Sequence, residues 1–225
     1  VLATPHLSSL GDRLERSALD SLLQILEAFD PGIICVERMP GFVVERMQLH
    51  REQYRTVLEQ FAAEIIHWGE FMRDTLQLTG REAASRADSL LELLSNSSSV
   101  KTGDTQRAKC VSFLTAAFDL PSAVLQWVKI NDKASISPEI IPAELKTILC
   151  RKAESSNEIY SIGVLLAVRV GIERLVSIDD HQDKDIFVDI APDLMAALKN
   201  NDQYKNTKNL SFFRESKAKM EKSMR

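Results

Sequence analysis

The residues predict an α/β protein, of an α+β-like kind: a small, mostly parallel central sheet carrying a large helical insertion or cap. Three observations lead there. A strand–helix–strand pattern occupies residues 1–42. An α/β pattern resumes over 151–225. Between them, residues 43–150 carry helical periodicity without the alternation of half-buried strands. The chain reads as a single domain, 1–225, with its core in 1–42 and 151–225 and the insertion in about 43–150.

Val1-Leu2-Ala3 reads as the tail of a strand that stops at Thr4-Pro5-His6, because Pro5 has no N–H for a ladder. Ser17 and Asp20 resemble a capping box, and Leu19, Leu22, Leu23 and Leu26 then form one apolar helical face. Asp30-Pro31-Gly32 breaks that helix. Gly32 to Glu37 is a continuous apolar run ending in a charge, the pattern of a buried parallel strand. Met47, His50, Tyr54, Val57, Phe61, Ile65, Trp68 and Met72 then step by three or four along a long helical stripe.

Gly80 offers a break before a Leu-rich helix ending near Leu94. Residues 95–105 are a polar loop, followed by helices near 106–118 and 122–130 and a second loop near 131–138. Asn157 to Ile172 is amphipathic, with Ile159, Ile162, Leu166 and Val170 on one side and Gly171 as its stop. Leu175 to Ile178 is a strand closed by Asp179-Asp180-His181. Ser211 to Arg225 is a charged, Lys-rich helix or frayed segment, with a solvated face from Lys217 to Arg225.

Composition narrows the function classes. With 44% hydrophobic residues the chain can build a core, which excludes a disordered chain. The net charge of −4 gives no basic surface for nucleic acid, so no nucleic-acid partner is expected. The apolar runs are too short for a transmembrane segment. Cys35, Cys110 and Cys150 are odd in number and widely spaced, neither a metal motif nor a disulfide framework, and read as buried or half-buried thiols. The chain opens inside an apolar segment, so the compartment stays open between the bacterial cytoplasm and, after removal of a leader, the periplasm or exterior. Oligomeric state is open as well.

The chemistry-bearing residues gather at strand ends: His6 after the first strand, Glu37 after the second, Asp179-Asp180-His181 after the third. In open α/β sheets ligands bind outside the carboxyl ends of the strands. Two imidazoles and up to three carboxylates on one rim suit general acid/base work or a divalent metal ion. Taken singly, each of these carboxylates is an ordinary cap or loop charge. His50 reads as a core or interface histidine, and Tyr54, Phe61 and Trp68 as helix packing. The chain has no GxGxxG, Walker, HExxH or GxSxG motif.

Leu2-Ala3-Thr4-Pro5-His6-Leu7 resembles the GxxH opening of the TraB, Tiki and erythromycin-esterase superfamily, with Ala3 where the family has Gly. Val36-Glu37 matches that superfamily's strand-ending glutamate. Asn157-Glu158 and Val176 to His181 are similar to an uncharacterised bacterial branch of it. The superfamily holds hydrolases of esters and peptides, proposed metalloproteases and haem-binding members. The resemblance implies a hydrolase of a small-molecule or peptide substrate, activating water with His6, Glu37, His181 and Glu158. Asn157, Asp179 and Asp180 would bind substrate or hold His181, and His6, Glu37 and His181 are the ligands if a divalent metal ion takes part. Two alternatives stand beside it. One is a binder of haem or another hydrophobic ligand through His50, His67, Tyr54 and Trp68. The other is a docking domain using the long amphipathic helix.

Overall fold

The structure is a computed structural model that describes residues 6–8, 16–96, 103–212, 214–216 and 219. The chain divides into two compact units, Val1–His181 and Gln182–Arg225. This boundary falls inside the stretch, 151–225, that the sequence groups with a sheet core.

In the first unit, α1 (Asp20–Glu27) leads to β1 (Cys35–Val36) and α2 (Gly41–Leu49). Next come α3 (Arg55–Val57), a π-helical segment (Leu58–Ala62), α4 (Ala63–Leu76) and α5 (Gly80–Asn96). After them follow α6 (Asp104–Ala116), α7 (Leu120–Val128) and α8 (Ala143–Ala153). A second π-helical segment (Ile159–Val164), α9 (Leu165–Arg169) and β2 (Val176–Ser177) complete the unit. The second unit, considered by itself, holds α10 (Lys184–Asn200) and α11 (Asp202–Lys208). The Asn201 side chain caps α11 by accepting from the Tyr204 N–H.

The expectation of an α/β protein built on a central sheet is wrong. The described residues are mostly helical, and among them the sheet is two strands of two residues each. The reason lies in where the apolar stripes go. Helix α6 packs against α4, α5 and α7, and Leu120 to Trp127 of α7 are all buried. The helices between β1 and β2 thus bury their faces on one another and form the core themselves.

The strands are pleated with one face covered. Ile34, Val36 and Leu175 are buried, whereas Ile33, Cys35, Glu37, Val176 and Ile178 are exposed. The run 32–37 is therefore a half-buried strand rather than a fully buried one, and Cys35 is an exposed thiol, as is Cys150. β1 and β2 pair in parallel, Cys35 with Val176 and Val36 with Ser177. The ladder runs on past the strands: the Ile178 N–H donates to Val36 O at 3.1 Å and the Asp179 N–H to Arg38 O at 3.0 Å. Gly163 lets the second π-helical segment lie against β1, because a Cβ there would come within 3.1 Å of the Val36 side chain.

Other local expectations change too. Asp20 opens α1 without a side-chain cap, and its carboxylate pairs with Arg169 at 2.6 Å instead. The long stripe is interrupted after Leu49, so His50 ends α2 as an exposed residue rather than a core histidine. Met47, Val57, Ile65 and Met72 of the stripe are buried as expected. Val1-Leu2-Ala3, most of the loop at 95–105 and most of the tail at 211–225 lie outside the described residues. Ahead of that tail the sequence reading overlooked α10, whose Pro192 sits inside the helix.

Candidate functional site

Three chain segments meet at His6. Glu158 precedes the second π-helical segment, and its carboxylate grips residues early in the chain. Glu158 Oε1 lies 2.9 Å from His6 Nδ1, and Oε2 accepts the Leu7 N–H at 3.2 Å. A carboxylate only accepts, so Nδ1 carries the proton and the neutral ring's lone pair is at Nε2. The His6 side chain is 77% exposed, whereas that of Glu158 is 20% exposed. The hydrogen bond and charge of Glu158 raise the His6 pKa above 6.5, and the Glu37 charge adds to the rise. Glu158 thus holds His6 directly, while Glu37, exposed at the end of β1, acts on the ring only through its charge.

Beyond the end of β2, His181 Nε2 lies 2.6 Å from Asp179 Oδ2. Its ring stacks on Phe61, of the first π-helical segment, with centroids 4.2 Å apart. His181 is buried, and its Nδ1 is shut from solvent without a hydrogen-bond partner. Asp179, not the exposed Asp180, is therefore the residue that holds this imidazole. Asn157 does not offer its side-chain carbonyl outward: Oδ1 accepts the Ile159 N–H at 3.1 Å and caps the turn.

Sequence reasoning missed Arg38, Phe61 and Tyr160. Arg38 follows Glu37 directly, and its carbonyl receives the Asp179 N–H that extends the ladder. Its half-buried side chain makes no ion pair or hydrogen bond with any described residue, and its Nε is shut from solvent. The guanidinium charge reaches Tyr160, two residues beyond Glu158. Burial pushes that phenol up to about 12, with the Arg38 charge acting against the rise. The signal in the sequence was only its position, a cation directly after the strand-ending Glu37.

Among the described residues no three of His, Cys, Asp and Glu are grouped so as to hold a metal ion. His6, Glu37 and His181 therefore do not form the metal-ligand set the sequence suggested, since the acceptors nearest the two imidazoles are Glu158 and Asp179. His50 and His67 are both exposed, and His67 meets only the edge of Trp68, at 4.8 Å.

The amino ends of the strands carry a different cluster. Glu173 accepts from Arg107 at 2.8 and 3.3 Å and from Gln126 at 2.7 Å, and pairs with Lys129 at 3.0 Å. Burial works to raise its pKa, but these hydrogen bonds and the Lys129 charge outweigh it and hold the carboxyl at about 2. Arg174 joins Asp88 at 2.7 Å and Asp119 at 3.2 Å. A cleft of about 380 Å³ opens here, lined by Gly32, Asp88, Ser95, Gly171, Glu173 and Arg174. Its charged groups are already matched to one another, and it contains none of the strand-end residues.

No family model, curated protein or solved structure matches the chain. No described helix is long and apolar enough to cross a membrane.

Proposed function

We propose that this protein is a hydrolase of the TraB, Tiki and erythromycin-esterase type, acting on a small-molecule or peptide carbonyl. The observation that carries the reading is the Glu158 carboxylate bridging His6 Nδ1 and the Leu7 N–H from across the chain. That bridge fixes the tautomer in which Nε2 of an exposed imidazole is the basic atom. As water oxygen bonds to the substrate carbonyl carbon, its proton passes to His6 Nε2 and the carbonyl π electrons move to oxygen. Collapse of the tetrahedral intermediate breaks the bond to the leaving group, which takes the proton back from the imidazolium. Glu158 steadies that imidazolium, and Glu37 favours it through its charge.

His181 takes a supporting part, with its Nδ1 turned away from solvent and its ring wedged against Phe61. The test is a panel of aryl esters and peptide amides assayed with the full chain and with His6→Ala. Turnover that disappears with His6 supports the reading; full turnover in His6→Ala overturns it. Nothing in the surroundings of His50 and His67 favours the haem-binding alternative.

A further inference from the structure

Arg38 differs from the other half-buried or buried guanidinium groups of the first unit. Arg73 faces Glu45, and Arg107 faces Glu173. Arg38 faces no carboxylate among the described residues, although Glu37 precedes it and Asp179 bonds to its own backbone carbonyl. Its Nε is a buried donor without an acceptor. A guanidinium taken partly out of water and left unpaired is costly, and proteins otherwise pair such groups. The missing acceptor points to a ligand.

We propose that Arg38 anchors a carboxylate group of the ligand at the carboxyl end of β1, beside the His6–Glu158 pair. Planar guanidinium and planar carboxylate match in a two-bond fork. The neighbourhood decides between a carboxylate and a phosphate. Glu37 precedes Arg38 and the Asp179 N–H bonds to the Arg38 carbonyl, so acidic residues flank this cation on both strands. A dianion meets more repulsion there than a monoanion does. The inference deepens the hydrolase reading by adding a carboxylate to the substrate, and it rests on that reading only for calling the ligand a substrate.

The experiment uses the full ¹⁵N-labelled chain and follows the Nε–H resonance of Arg38, assigned by its loss in Arg38→Lys. Sodium acetate is titrated in, with inorganic phosphate as a second arm and sodium chloride as the ionic-strength control. The expected result is a saturable shift with acetate, weaker with phosphate and absent with chloride. Arg38→Lys, followed through neighbouring backbone amides, should weaken acetate binding about tenfold, the loss of one charge-assisted hydrogen bond. Arg38→Gln should abolish it. A shift that merely tracks chloride overturns the proposal, as does tighter binding of phosphate or saturation that survives Arg38→Gln. If Arg38→Gln does not fold, the wild-type titration and the Lys variant still decide.

The hydrolase reading fails separately. Acetate binding that persists alongside full turnover in His6→Ala removes the reaction and keeps the anion site. His6-dependent turnover without acetate binding does the reverse.

Discussion

Glu173, just before β2, has Arg107, Gln126 and Lys129 all within hydrogen-bonding reach, while Arg38, just after β1, has no ionic partner among the described residues. The two lie at opposite ends of the same short ladder. At the amino end each buried charge is answered by another and the donors are spent on acceptors in the chain. At the carboxyl end the two imidazoles are held by carboxylates, but two buried nitrogens, Arg38 Nε and His181 Nδ1, have no acceptor or donor. A satisfied network is what a fold needs to be unique, and an unsatisfied one is kept where something else supplies the missing bonds. The amino end carries a cleft, yet its chemistry is complete. The carboxyl end has the incomplete chemistry.

Substitutions at the two ends should therefore separate stability from activity. The largest effect belongs to His6→Ala, with an expected loss of about 10²–10⁴ in turnover. Its stability should hardly change, since an exposed loop ring packs little. Paired measurements of ester or amide turnover and urea denaturation check both halves. Glu173→Ala should do the opposite. Stranding Arg107 and Lys129 is expected to cost about 3–5 kcal/mol in urea denaturation, with turnover of the surviving folded fraction unchanged. Equal losses of activity and stability at either position would erase the distinction between the ends.

Asp179→Asn should come next. It disturbs the buried His181 ring and is expected to cost about 1–3 kcal/mol, whereas Asp180→Asn should fall within about 0.5 kcal/mol. Thermal melts of the two variants side by side measure the contrast.

Acidification gives a further test of the amino end. Glu173 sits at about 2 in the folded chain against an ordinary 4.5, so its contribution is fully present above pH 4.5. It should fade as pH drops from 4.5 toward 2, and Glu173→Gln should flatten that part of the stability curve. The smallest expected effect is the pH dependence set by the His6 ring. Its raised pKa means that the neutral, basic ring forms only above 6.5, so turnover should climb through a limb lying above that value. Glu158→Gln should move the His6 ring titration, followed by NMR, down toward 6.5.

Part of this site was legible in the residues. His6, Glu37 and His181 follow short apolar runs in the sequence, and Glu37 and His181 lie just beyond the paired strands. The resemblance added Glu158, and the structure joins Glu158 to His6 directly. The overall architecture was not legible. Strand patterns of a few residues look alike whether they build a wide sheet or one parallel pair, and only the tertiary packing of α6 and α7 decides between them. Asp179 and Asp180 are chemically identical neighbours, so only the turn after β2 selects the one that reaches His181. Arg38 was passed over because its meaning lies in a partner it lacks, and a sequence does not display missing partners. The break after Leu49 was hidden because the apolar stripe keeps its phase across the turn at 50–54.

Both π-helical segments touch the site: Phe61 lies in one, and Glu158 immediately precedes the other. A π turn amounts to one residue more than the α-helix would need over the same length, and such insertions cluster at functional sites. The placement of Glu158 is thus a matter of counting as well as of identity. Deleting a single residue from Ile159–Val164 would let the segment relax to an α-helix, at the expense of its phase. Each residue advances a helix by about 100°, so with Leu165–Arg169 anchored in the core, Glu158 would swing to a different side. The carboxylate would survive the deletion, but His6 would no longer find it. In this chain the distance between a histidine held by its carboxylate and one left without it is a single amino acid of length, none of whose own atoms need touch either group.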